Sequence, residues 1–282
     1  MKWSQFLLAR RGTHTGEVVA LEEHASQMTP LGEKATRDQR LEHFTADIFG
    51  HVEGWVGDRM AGMISVLGLI FDRRNLYGHI AEFGVHHGLF LFLLNALRND
   101  DEKCFAIDVF ENQSLNIDGS GRGSLSVFRS HLETLLPTQQ RYFVVVQRDT
   151  LSFSLRDIPK LFEGKGVKFL SIDGGHTSQH CRNDLQLAQE VLLPGGIIAL
   201  DDYMSVHWPG VTEGLYGFMS SANRRLKPLF YFQNKLFLTT ISEQPSWLEE
   251  FRSEIAVRFD DELRQGRWKD VEIAGAKCLC FA

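Results

Sequence analysis

The chain has 282 residues, 43% hydrophobic and 23% charged, with a formal net charge of −6, the composition of one large globular domain with appendages or of two small ones. The acidic balance offers no basic face for nucleic acid, and the longest apolar stretch, Met60 to Phe71, is shorter than the roughly 20 residues of a membrane span. Cys104, Cys181, Cys278 and Cys280 lack C-x-x-C spacing and read as reduced thiols, and Met1 to Ala9 is too short an apolar core for a secretion signal, so a cytoplasmic protein is expected.

Residues 1–75 are polar at first and then helical in character. Leu41, Phe44 and Ile48 recur at helical spacing within Thr36 to Gly50, and Trp55 to Phe71 is a second apolar helix. From Tyr77 to Ile241 the pattern changes to strands alternating with helices. Strands are expected at His79 to Val85, Lys103 to Val109, Tyr142 to Arg148, Val167 to Asp173 and Gly196 to Leu200. Several are continuously apolar, as in a parallel sheet covered on both faces. Helices are expected at Leu89 to Arg98, Leu125 to Leu135 and Gln179 to Leu192. Pro228 to Gln233 and Lys235 to Ile241, broken only at Asn234, are too close to be anything but antiparallel neighbours. Ser246 to Arg264 reads as an amphipathic helix and Val271 to Phe281 as a strand. The fold class is α/β, a doubly wound sheet.

In such sheets ligands bind at the carboxyl ends of the strands. The first strand delivers Glu82, Gly84 and Gly88 in a G-x-x-x-G turn, not the G-x-G-x-x-G of dinucleotide binders. Gly84 allows a tight turn and Gly88 a close approach of the helix to a ligand. An acid ahead of the glycines repels phosphate and suits a positively charged ligand such as S-adenosylmethionine. Asp108 lies 20 residues after Gly88, about where an acid grips ribose hydroxyls. Asp149 and Thr150 end the third strand. Asp149 could accept from an adenine amino group or cap the following segment. Asp173, Asp201 and Asp202 end the fourth and fifth strands, and three adjacent carboxylates call for a Mg²⁺- or Mn²⁺-class ion. His176, after Gly174-Gly175, is placed as a general base. His86 and His87 are expected to shape the cofactor pocket, and His207 and Trp208 to line the acceptor site.

Glu82-Phe83-Gly84-Val85-His86-His87-Gly88 resembles the first motif of class I S-adenosylmethionine-dependent methyltransferases, and Ala81 to Ile241 follows their order of strand ends. The resemblance implies a Rossmann-like, seven-stranded, mostly parallel sheet with an antiparallel last strand and a helical N-terminal addition (1–75) ahead of the cofactor-binding domain (76–282). Asp173-Gly174-Gly175-His176 with Asp201-Asp202-Tyr203 is similar to the metal-dependent O-methyltransferases that act on sugars of macrolide and aminocoumarin antibiotics. That branch implies Mg²⁺ on Asp173, Asp201 and Asp202, His176 and Asp173 as catalytic residues, and Glu82, Gly84, Gly88, Asp108, Asp149, Thr150 and Asp173 around the cofactor. The acceptor is then a small molecule, a sugar hydroxyl, and the N-terminal addition serves acceptor or oligomer contacts. The segment Asn116 to Gly121 is less familiar and looks like a group of bacterial methyltransferases of unsettled substrate. Three rivals remain: a metal-dependent hydrolase using the Asp/His cluster, a nicotinamide-dependent oxidoreductase, and a non-catalytic nucleoside-binding protein.

Overall fold

In the computed structural model, which describes His24 and residues 28–258 and 268–281, the apolar runs assemble into one sheet. The five parallel strands are β1 (His79–Phe83), β2 (Cys104–Asp108), β3 (Phe143–Gln147), β4 (Val167–Ile172) and β5 (Leu192–Leu200). A hairpin, β6 (Leu226–Phe232) and β7 (Lys235–Thr240), follows, with β7 antiparallel to both β5 and β6. Alternate residues face opposite layers, and each layer is apolar. Ile80, Ala106 and Phe169 join one core, and Ala81, Phe105 and Leu170 join the other. This explains why the strands read as unbroken apolar runs.

The first layer holds α1 (Arg37–His43), α2 (Met60–Arg73), α3 (Leu89–Leu94), α4 (Leu125–Leu135) and later α8 (Gln244–Arg258). Thr36 caps α1 in a reciprocal capping box with Gln39, and the helix runs on as a π turn over Phe44–Ile48. The N-terminal segment shares its core with the sheet: Phe44, Ile48, Ile64 and Leu67 belong to the same cluster as Leu91 and Phe169. The second layer holds α5 (Ile158–Leu161), α6 (Ser178–Val191) and α7 (Pro209–Met219). Among the described residues, no helix is long and apolar enough to cross a membrane.

The sheet has nine strands, not the seven expected, in the order β3-β2-β1-β4-β5-β7-β6-β9-β8. The single strand expected at Val271 to Phe281 is a hairpin, β8 (Trp268–Ile273) and β9 (Ala276–Phe281), with β9 pairing parallel to β6. Its turn, Ala274-Gly275, has positive φ at both residues, a geometry that Asn-Gly signals better than Ala-Gly does. The helix expected from Trp55 starts only at Met60, which leaves Trp55 exposed. The helix α7 has no sequence signal because it carries three glycines. A Cβ at Gly214 would stand 2.8 Å from the Ser178 carbonyl oxygen, so the glycine lets α7 pack closely on α6. The tail helix is seen to Arg258; its expected remainder, like the reading of Met1 to Ala9, lies outside the described residues.

Candidate active site

The strand order reverses between β1 and β4, where connections depart to opposite sides. At that switch point, beyond the carboxyl ends, lies a cavity of about 540 Å³. Glu82, Gly84, Asp108, Asp149, Thr150, Asp173, His176, Asp201 and Asp202 all line it, so the expected site residues share one cavity. Gly88 does not. It adopts a left-handed conformation, and a Cβ there would lie 2.6 Å from the Phe92 ring and 2.8 Å from the Phe128 ring. The missing side chain lets α3 pack against α4.

Gly84 is fixed by its neighbour strand. Its φ is +80°, and the Asp173 amide donates to the Phe83 carbonyl at 2.8 Å. A Cβ at Gly84 would fall inside the Asp173 carbonyl group and 2.6 Å from the Gly174 nitrogen. The loop beyond is held by Asp108. Its Oδ2 accepts from the amides of Val85 (2.6 Å) and His86 (2.8 Å), and its Oδ1 from Phe110 (2.6 Å). Each carboxylate oxygen has two lone pairs, so Oδ1 keeps one for a ligand hydroxyl. Asp149 caps the turn at Thr150–Ser152, its Oδ1 accepting from Leu151 at 2.9 Å, as the capping alternative expected.

Glu82 is the acid best suited to a cation in this wall. It is 1% exposed, its Oε2 has no partner, and burial pushes its pKa to about 8, against the pull of Lys235. A buried carboxylate oxygen without a donor costs free energy that a ligand ammonium would offset. The Glu82 orphan, the turn at Gly84 and the remaining lone pair of Asp108 fit S-adenosylmethionine.

The floor under β4 and β5 departs from expectation. Two of the three acids, Asp173 and Asp201, already have a cation, Lys235, the first residue of β7. It is 2% exposed, with Nζ 2.5 Å from Asp201 Oδ2, 3.7 Å from Asp173 Oδ2 and 4.5 Å from the centre of the Phe90 ring. Burial disfavours its charge, but Asp201 and Asp173 outweigh that and raise its pKa. Burial and the Asp201 charge hold Asp173 well above the ordinary carboxylate range. Asp201 Oδ1 accepts from the Asp202 amide (2.9 Å) and from Asn234 Nδ2 (3.2 Å), which also donates to Asp202 Oδ1 at 2.8 Å. Both oxygens of Asp201 thus already accept hydrogen bonds, one of them from a buried ammonium, which makes Asp201 the least available of the three expected metal ligands. Among the described residues, the floor groups whose donor atoms lie within 4.8 Å of one another are Asp173, His176 and Asp202.

Lys235 and Asn234 escaped the sequence reading, although a signal existed. An antiparallel strand enters the sheet at the carboxyl edge of its parallel neighbours, so its first residues arrive at the ligand edge. Leu236 pairs with Leu200, which places Lys235 beside Asp201.

His176 stacks on Trp208, ring centres 4.3 Å apart. Nε2 lies 3.0 Å from Asp202 Oδ2 and Nδ1 3.1 Å from Asp118 Oδ2. Burial lowers its pKa, but the hydrogen bond and charge of Asp202 together with Asp118 outweigh burial, so the net shift is upward. Asp118 belongs to the loop between β2 and α4, which also brings Asn116, Ile117 and Ser120 to the cavity. Trp55 reaches the opposite wall, 5.3 Å from the His86 ring.

Residues 81–203 match a family described as a methyltransferase domain. No curated protein matches the chain. Among solved structures, the chain resembles CalS11, a TDP-rhamnose 3'-O-methyltransferase of calicheamicin biosynthesis, at 17% identity and a TM-score of 0.50, over 80% of this chain and 93% of that one. It resembles the O-methyltransferase NovP at 14% identity and a TM-score of 0.55, over 80% and 97%. The fold is the Rossmann-like fold of class I methyltransferases. The protein is an S-adenosylmethionine-dependent methyltransferase.

Proposed function

We propose that the protein transfers the methyl group of S-adenosylmethionine to a hydroxyl of a small acceptor, a sugar or a glycosylated metabolite. The observation that carries the hydroxyl is the floor of the cavity: His176 stands between two carboxylates, next to the wall that fits the cofactor. A hydroxyl is a weak nucleophile until its proton is removed, and a base within reach is what it needs. The sugar is supported by the similar structures, one of which is a TDP-rhamnose 3'-O-methyltransferase.

When bound, S-adenosylmethionine supplies an electrophilic methyl carbon. Glu82 would pair with its ammonium, Asp108 would accept from a ribose hydroxyl, and Asp149 and Thr150 would face the base. Asp173 and His176 would meet the acceptor, with Asp202 exchanging its place at Nε2 for the hydroxyl. Lys235 holds Asp201 and Asp173 in place and keeps the floor near electrical balance. Residues 1–75 would contribute the Trp55 side of the acceptor wall.

A divalent cation is the second reading, favoured by the closeness of the Asp173, His176 and Asp202 donor atoms. Asp173 and Asp202, not Asp201, would then hold a Mg²⁺- or Mn²⁺-class ion, whose oxygen preference suits carboxylates. Labelled S-adenosylmethionine screened against glycosylated acceptors, with and without EDTA, tests both readings. Label in an ether at a sugar hydroxyl is expected. Label on nitrogen or carbon would overturn the hydroxyl assignment, and unchanged turnover in EDTA would remove the cation.

A further inference from the structure

The segment Asn116 to Gly121 is the motif that the cofactor and acceptor roles leave unexplained. It lies between β2 and α4, and it folds back across the cavity to reach a residue 58 positions later. Asp118 Oδ2 accepts from the His176 amide at 2.5 Å and lies 3.1 Å from His176 Nδ1. Ser120 Oγ lies 2.9 Å from the same Nδ1 and 2.5 Å from Asp118 Oδ1. The Ser120 amide also donates to Asp118 Oδ1 at 2.9 Å. The aspartate is thus fixed by its own loop before it touches the histidine.

These contacts determine a proton position. Asp118 is held below the usual carboxylate range: burial opposes this, but Ser120 and the His176 amide outweigh it. It is therefore an acceptor only. Ser120 has one hydroxyl proton, and Asp118 Oδ1 takes it. The proton between Nδ1 and this pair must then come from the ring, so His176 carries its proton on Nδ1. The other nitrogen, Nε2, faces Asp202 Oδ2 at 3.0 Å and donates to it here, so Asp118 and Ser120 fix Nδ1 as the nitrogen that keeps its proton when Nε2 leaves Asp202 and accepts from the acceptor hydroxyl.

We infer that Asp118 is a positioning residue for methyl transfer: it holds His176 as the Nδ1–H tautomer, with Nε2 presented to the acceptor hydroxyl. An acid on one ring nitrogen that orients the other toward a hydroxyl is a general arrangement for base catalysis. Here the acid rides on the loop that also supplies Asn116 and Ile117 to the cavity wall. The base is complete only when the loop lies over the site. Ser120 shares the task by filling the second acceptor position at Nδ1.

The inference rests on the reading of His176 as the base, and the experiment separates the two. Asp118→Ala, Asp118→Asn, His176→Ala and the double variant Asp118→Ala/His176→Ala are compared for kcat, acceptor KM and calorimetric affinity for S-adenosylhomocysteine. Asp118→Ala is expected to lower kcat by about tenfold or more, within the roughly 10²–10⁴-fold that a positioned base contributes. Asp118→Asn keeps an oxygen for Nδ1–H without the charge and should fall between Asp118→Ala and wild type. Cofactor-product affinity should stay within about threefold of wild type, since Asp118 touches the acceptor side. The double variant should be no slower than His176→Ala alone, because a positioning residue has nothing to position once the ring is gone. In ¹⁵N spectra, Nδ1 of His176 should report the protonated form in wild type and lose that preference in Asp118→Ala. Asp118→Ala within twofold of wild type, with His176→Ala inactive, overturns the inference and leaves the base reading standing. His176→Ala at wild-type rate overturns both. Equal losses of kcat and cofactor affinity in Asp118→Ala make the loop a structural cover and overturn the inference.

Discussion

Replacing Lys235 by methionine tests whether this chain brings its own cation to the acidic floor. The ammonium stands 2.5 Å from Asp201 and 3.7 Å from Asp173, and is almost fully buried. At an effective dielectric of about 20, those distances correspond to gross attractions of roughly 7 and 4 kcal/mol. Desolvation of the ions, several kcal/mol each, cancels most of that, so the intact cluster adds little net stability. Removing only the cation is different. Asp201 stays buried at 6% exposure with its Oδ2 uncompensated, and the cost of breaking such a pair is about 3–5 kcal/mol. Methionine fills a similar length, so the loss is electrostatic and not a cavity effect. Urea denaturation followed by circular dichroism should show Lys235→Met destabilised by that amount at pH 7. The double variant Lys235→Met/Asp201→Asn should recover most of the loss, because the unpaired charge is gone. A cost below about 1 kcal/mol for Lys235→Met, or no recovery in the double variant, would refute the reasoning.

Three further outcomes follow from single residues. Glu82→Gln should weaken S-adenosylmethionine binding by about 1.5–3 kcal/mol in calorimetry, the scale of a hydrogen bond to a charged group, and unchanged affinity would remove Glu82 from the cofactor site. Gly84→Ala should abolish cofactor binding or folding, since both a positive φ and the Asp173 carbonyl oppose a side chain there; a folded, binding variant would contradict the turn described. Asp184 is fully buried, its Oδ2 has no partner, and burial raises its pKa from 3.8 to about 7. A carboxyl whose folded pKa is raised favours the native state at low pH and loses that contribution as pH climbs from about 4 to about 7. Asp184→Asn should therefore gain stability over wild type by roughly 2–4 kcal/mol at pH 8 and much less at pH 4, at 1.36 kcal/mol per pKa unit. An equal effect at both pH values would show that Asp184 does not titrate in this range.

The parallel core was legible because its strands carry apolar residues on both faces and end in acids. Glu82, Asp108, Asp173 and Asp201 could be placed at one edge from that pattern alone. Three features were not legible, each for a physical reason. Lys235 looks like an ordinary residue after a turn, and its burial appears only once Leu236 is paired with Leu200. Asp118 meets His176 through a loop that crosses the cavity, and no periodicity reports such a path. The helix at Pro209–Met219 is built on glycines that disfavour an isolated helix, yet permit the close packing on α6 that stabilises it. Gly88 carries a packing constraint that its motif position does not announce, since Phe92 and Phe128 leave no room for a side chain there.

The central claim is that the floor around His176 removes a proton from an acceptor hydroxyl beside bound S-adenosylmethionine. The most direct measurement is product analysis by mass spectrometry after turnover with deuterated-methyl S-adenosylmethionine, run in parallel on wild type and His176→Ala with cofactor affinity matched by calorimetry. The account predicts a deuterated methyl ether on a sugar oxygen in wild type and a rate lower by roughly 10²–10⁴-fold in the variant, with binding intact. A methyl group on nitrogen or carbon, or a variant that forms the ether at the wild-type rate, would contradict it.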